Sequence, residues 1–149
     1  MLTQFDANDL YPDFYIETED QLFNVMRTQI DVVLPHGYAV LNAEDAQVVR
    51  MAELSDGKVI FFATSPTNEH IIQHMANGER TVFVRDGQVV LAVGNQETSL
   101  SALAAIPLIS KKGKDPLQLL SLLAAIAAAW ALDLSQDIIR AGIETFDPA

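Results

Sequence analysis

Hydrophobic positions change period several times along the 149-residue chain, and each change marks an element. Residues 1–17 are acidic and aromatic without a clear period, and Pro12 breaks any helix, so a loop or an incomplete sheet edge is expected there. Thr18-Glu19-Asp20-Gln21 has the form of a capping box, in which the threonine hydroxyl serves the amide three residues on and the glutamine reaches back. Leu22, Phe23, Met26, Ile30 and Val33 follow at helical spacing, and Pro35-His36-Gly37 stops the helix. Tyr38-Ala39-Val40-Leu41 predicts a strand, and residues 44–54 predict a helix closed by Ser55-Asp56-Gly57. Val59-Ile60-Phe61-Phe62-Ala63 is an unbroken apolar run, the pattern of a strand covered on both faces.

Ser65-Pro66 predicts the start of another helix with proline at its first position. That helix carries Ile71, Ile72 and Met75 and ends at Asn77-Gly78. Residues 81–85 and 88–93 flank Asp86-Gly87, a strong hairpin signal, because a type I′ turn needs two residues that tolerate positive φ. Residues 94–110 are looser, with a short strand expected near Ile106-Pro107-Leu108. Asp115-Pro116 caps a long helix to about Leu132, and Ser135 caps a last one to about Thr145. Helices alternating with apolar strands predict an α/β fold of mostly parallel strands with flanking helices, plus an antiparallel hairpin.

Composition narrows the function. Half the residues are hydrophobic and the formal net charge is −11, so the chain can build a core and has no basic face for nucleic acid. The lysine cluster Lys111-Lys112-Gly113-Lys114 is too small to reverse that, and reads as a solvated loop rather than a phosphate contact. No cysteine is present, which removes thiolate chemistry and cysteine-ligated metal. Together with an amino terminus lacking a signal pattern, this points to a cytoplasmic protein. The apolar stretch 117–132 is shorter than the roughly 20 residues a membrane span needs and predicts a buried helix; no membrane partner is expected.

The chemistry concentrates at Asn42-Ala43-Glu44-Asp45, directly after the first strand. The carboxyl end of a buried strand is where open α/β sheets bind ligands. There Asn42 could bond an adenine edge or ribose, and Asp45 could accept from a ribose hydroxyl. Equally, Asn42 could cap the following helix with Asp45 complementing its dipole, and spacing alone favours the cap. His70 and His74 share a helix face, but without an HExxH pattern or a third ligand they read as solvent-facing. Glu17, Glu19 and Asp20 read as first-turn acids rather than magnesium ligands. The sequence contains no G-x-x-x-x-G-K-[ST], G-x-G-x-x-G or G-x-S-x-G, so neither a phosphate cradle nor a nucleophile elbow is expected within it.

Taken in order, several runs resemble the Mur-ligase-like part of cyanophycin synthetase: residues 21–35, Gly37-Tyr38-Ala39-Val40-Leu41-Asn42-Ala43-Glu44-Asp45, residues 57–62, 85–92, 106–108, 127–132 and 139–146. The resemblance covers almost the whole chain. It implies an ATP-dependent ligase, with magnesium in the intact enzyme, that builds a poly-aspartate backbone carrying arginine, activating a carboxylate as an acyl phosphate for attack by an amine. ATP, aspartate, arginine and cyanophycin are then the implied partners, and Asn42 and Asp45 the positions that face the nucleotide.

Departures from the family pattern are also visible. The chain corresponds to the back half of the central ATP-binding domain, one partial domain over residues 1–149. The family's phosphate loop, upstream ATP-grasp region and carboxyl-terminal domain have no counterpart in it. Of the family's Arg-x-x-Phe-Gln-x-x-Asn, aligned on Lys114, Leu117, Gln118 and Ser121, only Gln118 is kept, and Glu44 and Ala46 replace Asp and Pro. The expectation is therefore a truncated or degenerate piece, inactive alone. The alternatives are a non-catalytic module docking on a full-length synthetase or weakly binding adenine nucleotide. An unpaired sheet edge would favour self-association, as a homo-oligomer or a synthetase subunit.

Overall fold

The computed structural model describes residues 1–6, 10–112 and 115–147. Five strands form one sheet in the order β1-β2-β3-β4-β5: β1 Tyr38–Asn42, β2 Lys58–Ala63, β3 Arg80–Arg85, β4 Gln88–Val93 and β5 Gln96–Ala102. The first three are parallel, and β4 and β5 return antiparallel. The helices are α1 Glu19–Asp31, α2 Ala46–Arg50, α3 Glu69–Ala76, α4 Pro107–Lys112, α5 Pro116–Ala131 and α6 Gln136–Thr145.

Alternation along the strands divides the core in two. Val40, Ile60, Phe62, Val82 and Leu91 face one way and pack on α5 and its neighbours through Leu122, Leu123, Ile126 and Trp130. Ala39, Leu41, Phe61, Ala63 and Phe83 face the other way and meet Ile30, Val48, Met51 and Ile71 from α1, α2 and its extension, and α3. The unbroken apolar run of β2 reflects this double cover, since both of its faces are dry.

The Thr18 capping box, the Asp115-Pro116 start and the Ser135 cap form as the sequence predicts. So does the hairpin, with Asp86 at φ 50 and Gly87 at φ 73, the doubly positive φ of a type I′ turn.

Four expectations are corrected. First, the helix after β2 starts at Glu69, capped by Asn68. Ser65-Pro66 lies in the preceding turn, because the Asn68 carboxamide satisfies the amides of His70 and Ile71. Second, residues 96–102 form β5, which zips onto β4 through a shift at Val89/Val90. Third, Pro107 and Leu108 begin a helix instead of a strand. The pattern at 96–102 had been masked because Gln96, Glu97, Thr98 and Ser99 are exposed on an edge and only Leu100 and Ser101 are buried. Fourth, helix α2 is a single turn that continues as a 3-10 turn, Met51–Leu54.

The sheet edge at β1 is partly covered. Leu2 pairs with Leu41 in parallel sense, giving Leu2 N–H to Val40 O at 2.8 Å and accepting from Asn42 N–H at 3.1 Å. Residues 1–6 thus carry a strand-like contact within an otherwise irregular segment.

Candidate functional site at the carboxyl ends of β1 and β2

Parallel strands β1 and β2 end side by side, with Asn42 opposite Phe62. The chain leaves β1 through Ala43, whose N–H bonds Phe62 O at 2.9 Å. Asn42 is 97 % buried, with 3 % of its surface exposed. Its amide nitrogen donates to Thr3 O at 2.7 Å, and its carbonyl accepts from Glu44 N–H at 2.9 Å. The helix cap is Asp45 instead. Its Oδ1 accepts from the amides of Gln47 and Val48 at 2.9 and 3.1 Å, and its Oδ2 accepts from Phe5 N–H at 2.6 Å. The capping role considered for Asn42 therefore belongs to Asp45, three residues later, because the strand runs through Asn42 before the chain turns.

Across the crevice, Glu44 Oε1 accepts from both the N–H and the hydroxyl of Thr64, each at 2.5 Å. Asn68 Nδ2 donates to Ala43 O at 3.0 Å. These bonds tie the turn after β1 to the turn after β2. Neither Thr64 nor Asn68 was singled out in the sequence. Asn68 carried a legible signal, a capping side chain just before Glu69 and the apolar pair Ile71-Ile72, but Pro66 offered a competing start.

The turn thus brings Asn42, Glu44 and Asp45 together with residues 3–5 and 64–68. Counting donors and acceptors, Asn42 retains one amide proton and one lone pair but is nearly closed to solvent. Half-buried Asp45 has three of its four acceptor sites filled and retains one, on Oδ2. Of the two, Asp45 is the better placed to accept from a ligand hydroxyl.

The other candidates lie elsewhere. His70 and His74 are half-buried rather than solvent-facing. Both lie against Phe61, with ring centroids at 6.3 and 4.9 Å, and His74 Nε2 is 2.8 Å from Val59 O. They share a shallow groove of about 170 Å³ with Glu53 and Asn77. No group of three or more His, Asp or Glu able to hold a metal occurs among the described residues. Of the aligned positions in α5, Gln118 places a buried Oε1 with no hydrogen-bond partner among the described residues. Helix α5 packs on the strands through its buried residues and ends beside Arg80 at the start of β3. Lys114 and Gly113 lie outside the described residues, and no helix among those residues is long and apolar enough to cross a membrane.

No family model matches the chain. The architecture is Mur-ligase-like: it superposes on MurF from Acinetobacter baumannii with a TM-score of 0.63 at 15 % identity, covering 99 % of this chain and 28 % of that one. It also matches a UDP-N-acetylmuramoylalanyl-D-glutamyl-2,6-diaminopimelate–D-alanyl-D-alanyl ligase from the same organism, at TM-score 0.52 and 18 % identity, covering 89 % and 26 %.

Sequence narrows this further. Cyanophycin synthetase of Trichormus variabilis is 34 % identical over 131 residues, 88 % of this chain and 14 % of the synthetase. That of Synechocystis is 33 % identical over 88 % of this chain and 15 % of its own length. The UDP-N-acetylmuramoyl-L-alanyl-D-glutamate–2,6-diaminopimelate ligase of Geobacter metallireducens is 33 % identical over 87 % and 22 %. By sequence the chain is a relative of one segment of the cyanophycin synthetases, and it spans about a seventh of their length.

Proposed function

We propose that the 149 residues form part of the ATP-binding domain of an ATP-dependent acid–amino-acid ligase of the cyanophycin-synthetase kind. On this reading they contribute the adenosine side of the site, at the carboxyl ends of β1 and β2. The observation that carries it is the 34 % identity across 88 % of the chain, which a Mur-ligase-like fold accompanies. In such a ligase ATP activates a carboxylate as an acyl phosphate, and an amine, from aspartate or arginine, displaces the phosphate.

This chain's own part is binding and orientation. Asp45 accepts from a ribose hydroxyl while holding the first amides of α2. Asn42 shapes the turn and offers its remaining amide proton once residues 3–5 shift. The sequence has no phosphate loop to hold the triphosphate, and magnesium, which is held through the phosphates with one or two carboxylates, is assigned no ligand among these residues. No ligation step is therefore assigned to this chain alone.

Calorimetric titration with AMP and with magnesium–ATP tests this. The two should bind alike, with dissociation constants on the order of millimolar, and Asp45→Asn should weaken both. ATP binding far more tightly than AMP, or turnover of ATP, would overturn the half-site. No binding of either would remove the nucleotide reading altogether.

A second reading, docking on a full-length synthetase, draws on the β1 edge, where a single bridge to Leu2 lies outside the named strands. An added strand could pair there. Co-purification with a full-length synthetase, lost on blocking that edge, would favour it.

A further inference from the structure

Before α1 the chain forms a tight six-residue loop. Tyr11 and Ile16 exchange backbone hydrogen bonds at 2.9 and 3.1 Å, and inside them Phe14 N–H bonds Tyr11 O while Tyr15 N–H bonds Pro12 O. The loop is closed by its own backbone, yet its large side chains point outward. Tyr11, Phe14 and Tyr15 are 49, 75 and 83 % exposed. Tyr15 also sits at φ 60, a left-handed conformation that is an outlier for a bulky side chain and that glycine would adopt without strain. Three exposed rings on a preformed loop, one of them where glycine would fit better, lie outside the core.

The charge around the rings selects the partner. Asp13 lies within the loop, and Glu17, Glu19 and Asp20 follow it, all exposed. No lysine, arginine or histidine occurs before Arg27. The same combination of ring and carboxylate surrounds arginines elsewhere in this molecule. Arg80 lies over Tyr38 and Trp130, 5.1 and 4.8 Å from the ring centroids, while it pairs with Asp133. Arg85 lies over Phe83 while it pairs with Glu97. At residues 11–20 the rings and carboxylates are present and the guanidinium is not. A planar guanidinium can stack on a ring and bond a carboxylate at once, which an ammonium does less well.

We propose that the Tyr11–Ile16 loop and the first turn of α1 are a docking surface for an arginine-rich segment of a partner polypeptide. The surface uses neither Asn42 nor Asp45 and stands apart from the nucleotide reading.

The test is fluorescence anisotropy of two labelled peptides of equal length and charge, one arginine-glycine and one lysine-glycine, with the whole chain. The arginine peptide should bind several-fold more tightly. Phe14→Ala should weaken it about threefold, and Tyr15→Gly should weaken it similarly while thermal stability holds or rises. Asp137→Asn, an exposed acid on α6 at the β5 side of the sheet, should leave it unchanged. Equal binding of both peptides, or the same loss from Asp137→Asn as from Phe14→Ala, would mean that only the overall negative charge attracts them. No binding of the arginine peptide would equally overturn the proposal. A loss of stability in Tyr15→Gly would assign that ring to the loop's own fold and remove it from the surface.

Discussion

At the scale of single residues, Asp45 connects more of the site than any neighbour. One carboxylate oxygen caps α2 through two amides and the other holds Phe5 N–H, so a single side chain joins the turn, the helix and the amino-terminal segment. Asp45→Ala should cost about 1–2 kcal/mol, the usual range for a lost helix cap. Urea denaturation should show a lower midpoint with an unchanged slope. Asp45→Asn keeps one acceptor oxygen and should recover much of that stability. Of the Asn-x-x-Asp turn, the sequence made the position and the residue types legible. It could not apportion the roles, because capping is decided by where β1 ends, and β1 continues through Asn42 only because β2 and Leu2 pair with it there.

At the scale of elements, Arg80 adds a polar fastening to the apolar packing of α5 on the sheet. This residue at the start of β3 lies between Tyr38 of β1 and Trp130 of α5, and donates to Trp130 O at 3.2 Å. It thus binds the last turn of α5, where carbonyls lack helical partners and favour a cation. Arg80→Lys keeps the charge but loses the planar stack. It should destabilise the chain by about 1 kcal/mol, and Trp130 emission should shift to the red as the buried indole, only 9 % exposed, gains water.

The long α5 was plain in the sequence from its cap and sixteen-residue apolar run. Its fastening was not, since Arg80 and Trp130 are fifty residues apart. Strand β5 was missed for the opposite reason. An edge strand with one exposed, polar half lacks the apolar alternation that marks a strand, and becomes one only because β4 offers it hydrogen bonds.

At the scale of the whole molecule, the sheet has two edges, and they are protected differently. Beta-5 is covered on one side of its carboxyl half by α6, through Arg140 to Leu100 O and Ser101 to Glu144. At β1, Leu2 is the partner, and it is buried to 4 % exposure. Leu2→Asp should free this edge, because a buried carboxylate without a partner is costly and an unpaired edge invites pairing between chains. Light scattering after size exclusion should then show a shift toward dimers or larger species relative to the unaltered chain. An unchanged mass would show that the remaining cover of β1 suffices. The net charge of −11 opposes association, so the shift should grow with added salt as that repulsion is screened.

What the sequence determined by itself was local: the Thr18 capping box, the Asp115 and Ser135 caps, the two-residue hairpin turn, the apolar strand runs and helical stripes, and therefore the α/β class. Each is a property of a few neighbouring residues and needs no distant partner. The tertiary structure alone decided which residues meet across the chain. It set Thr3 and Phe5 on Asn42 and Asp45, Thr64 on Glu44, and Arg80 on Trp130. Such contacts join positions 20 to 50 residues apart, and their free energy arises only once the strands are in register and water has left the space between them.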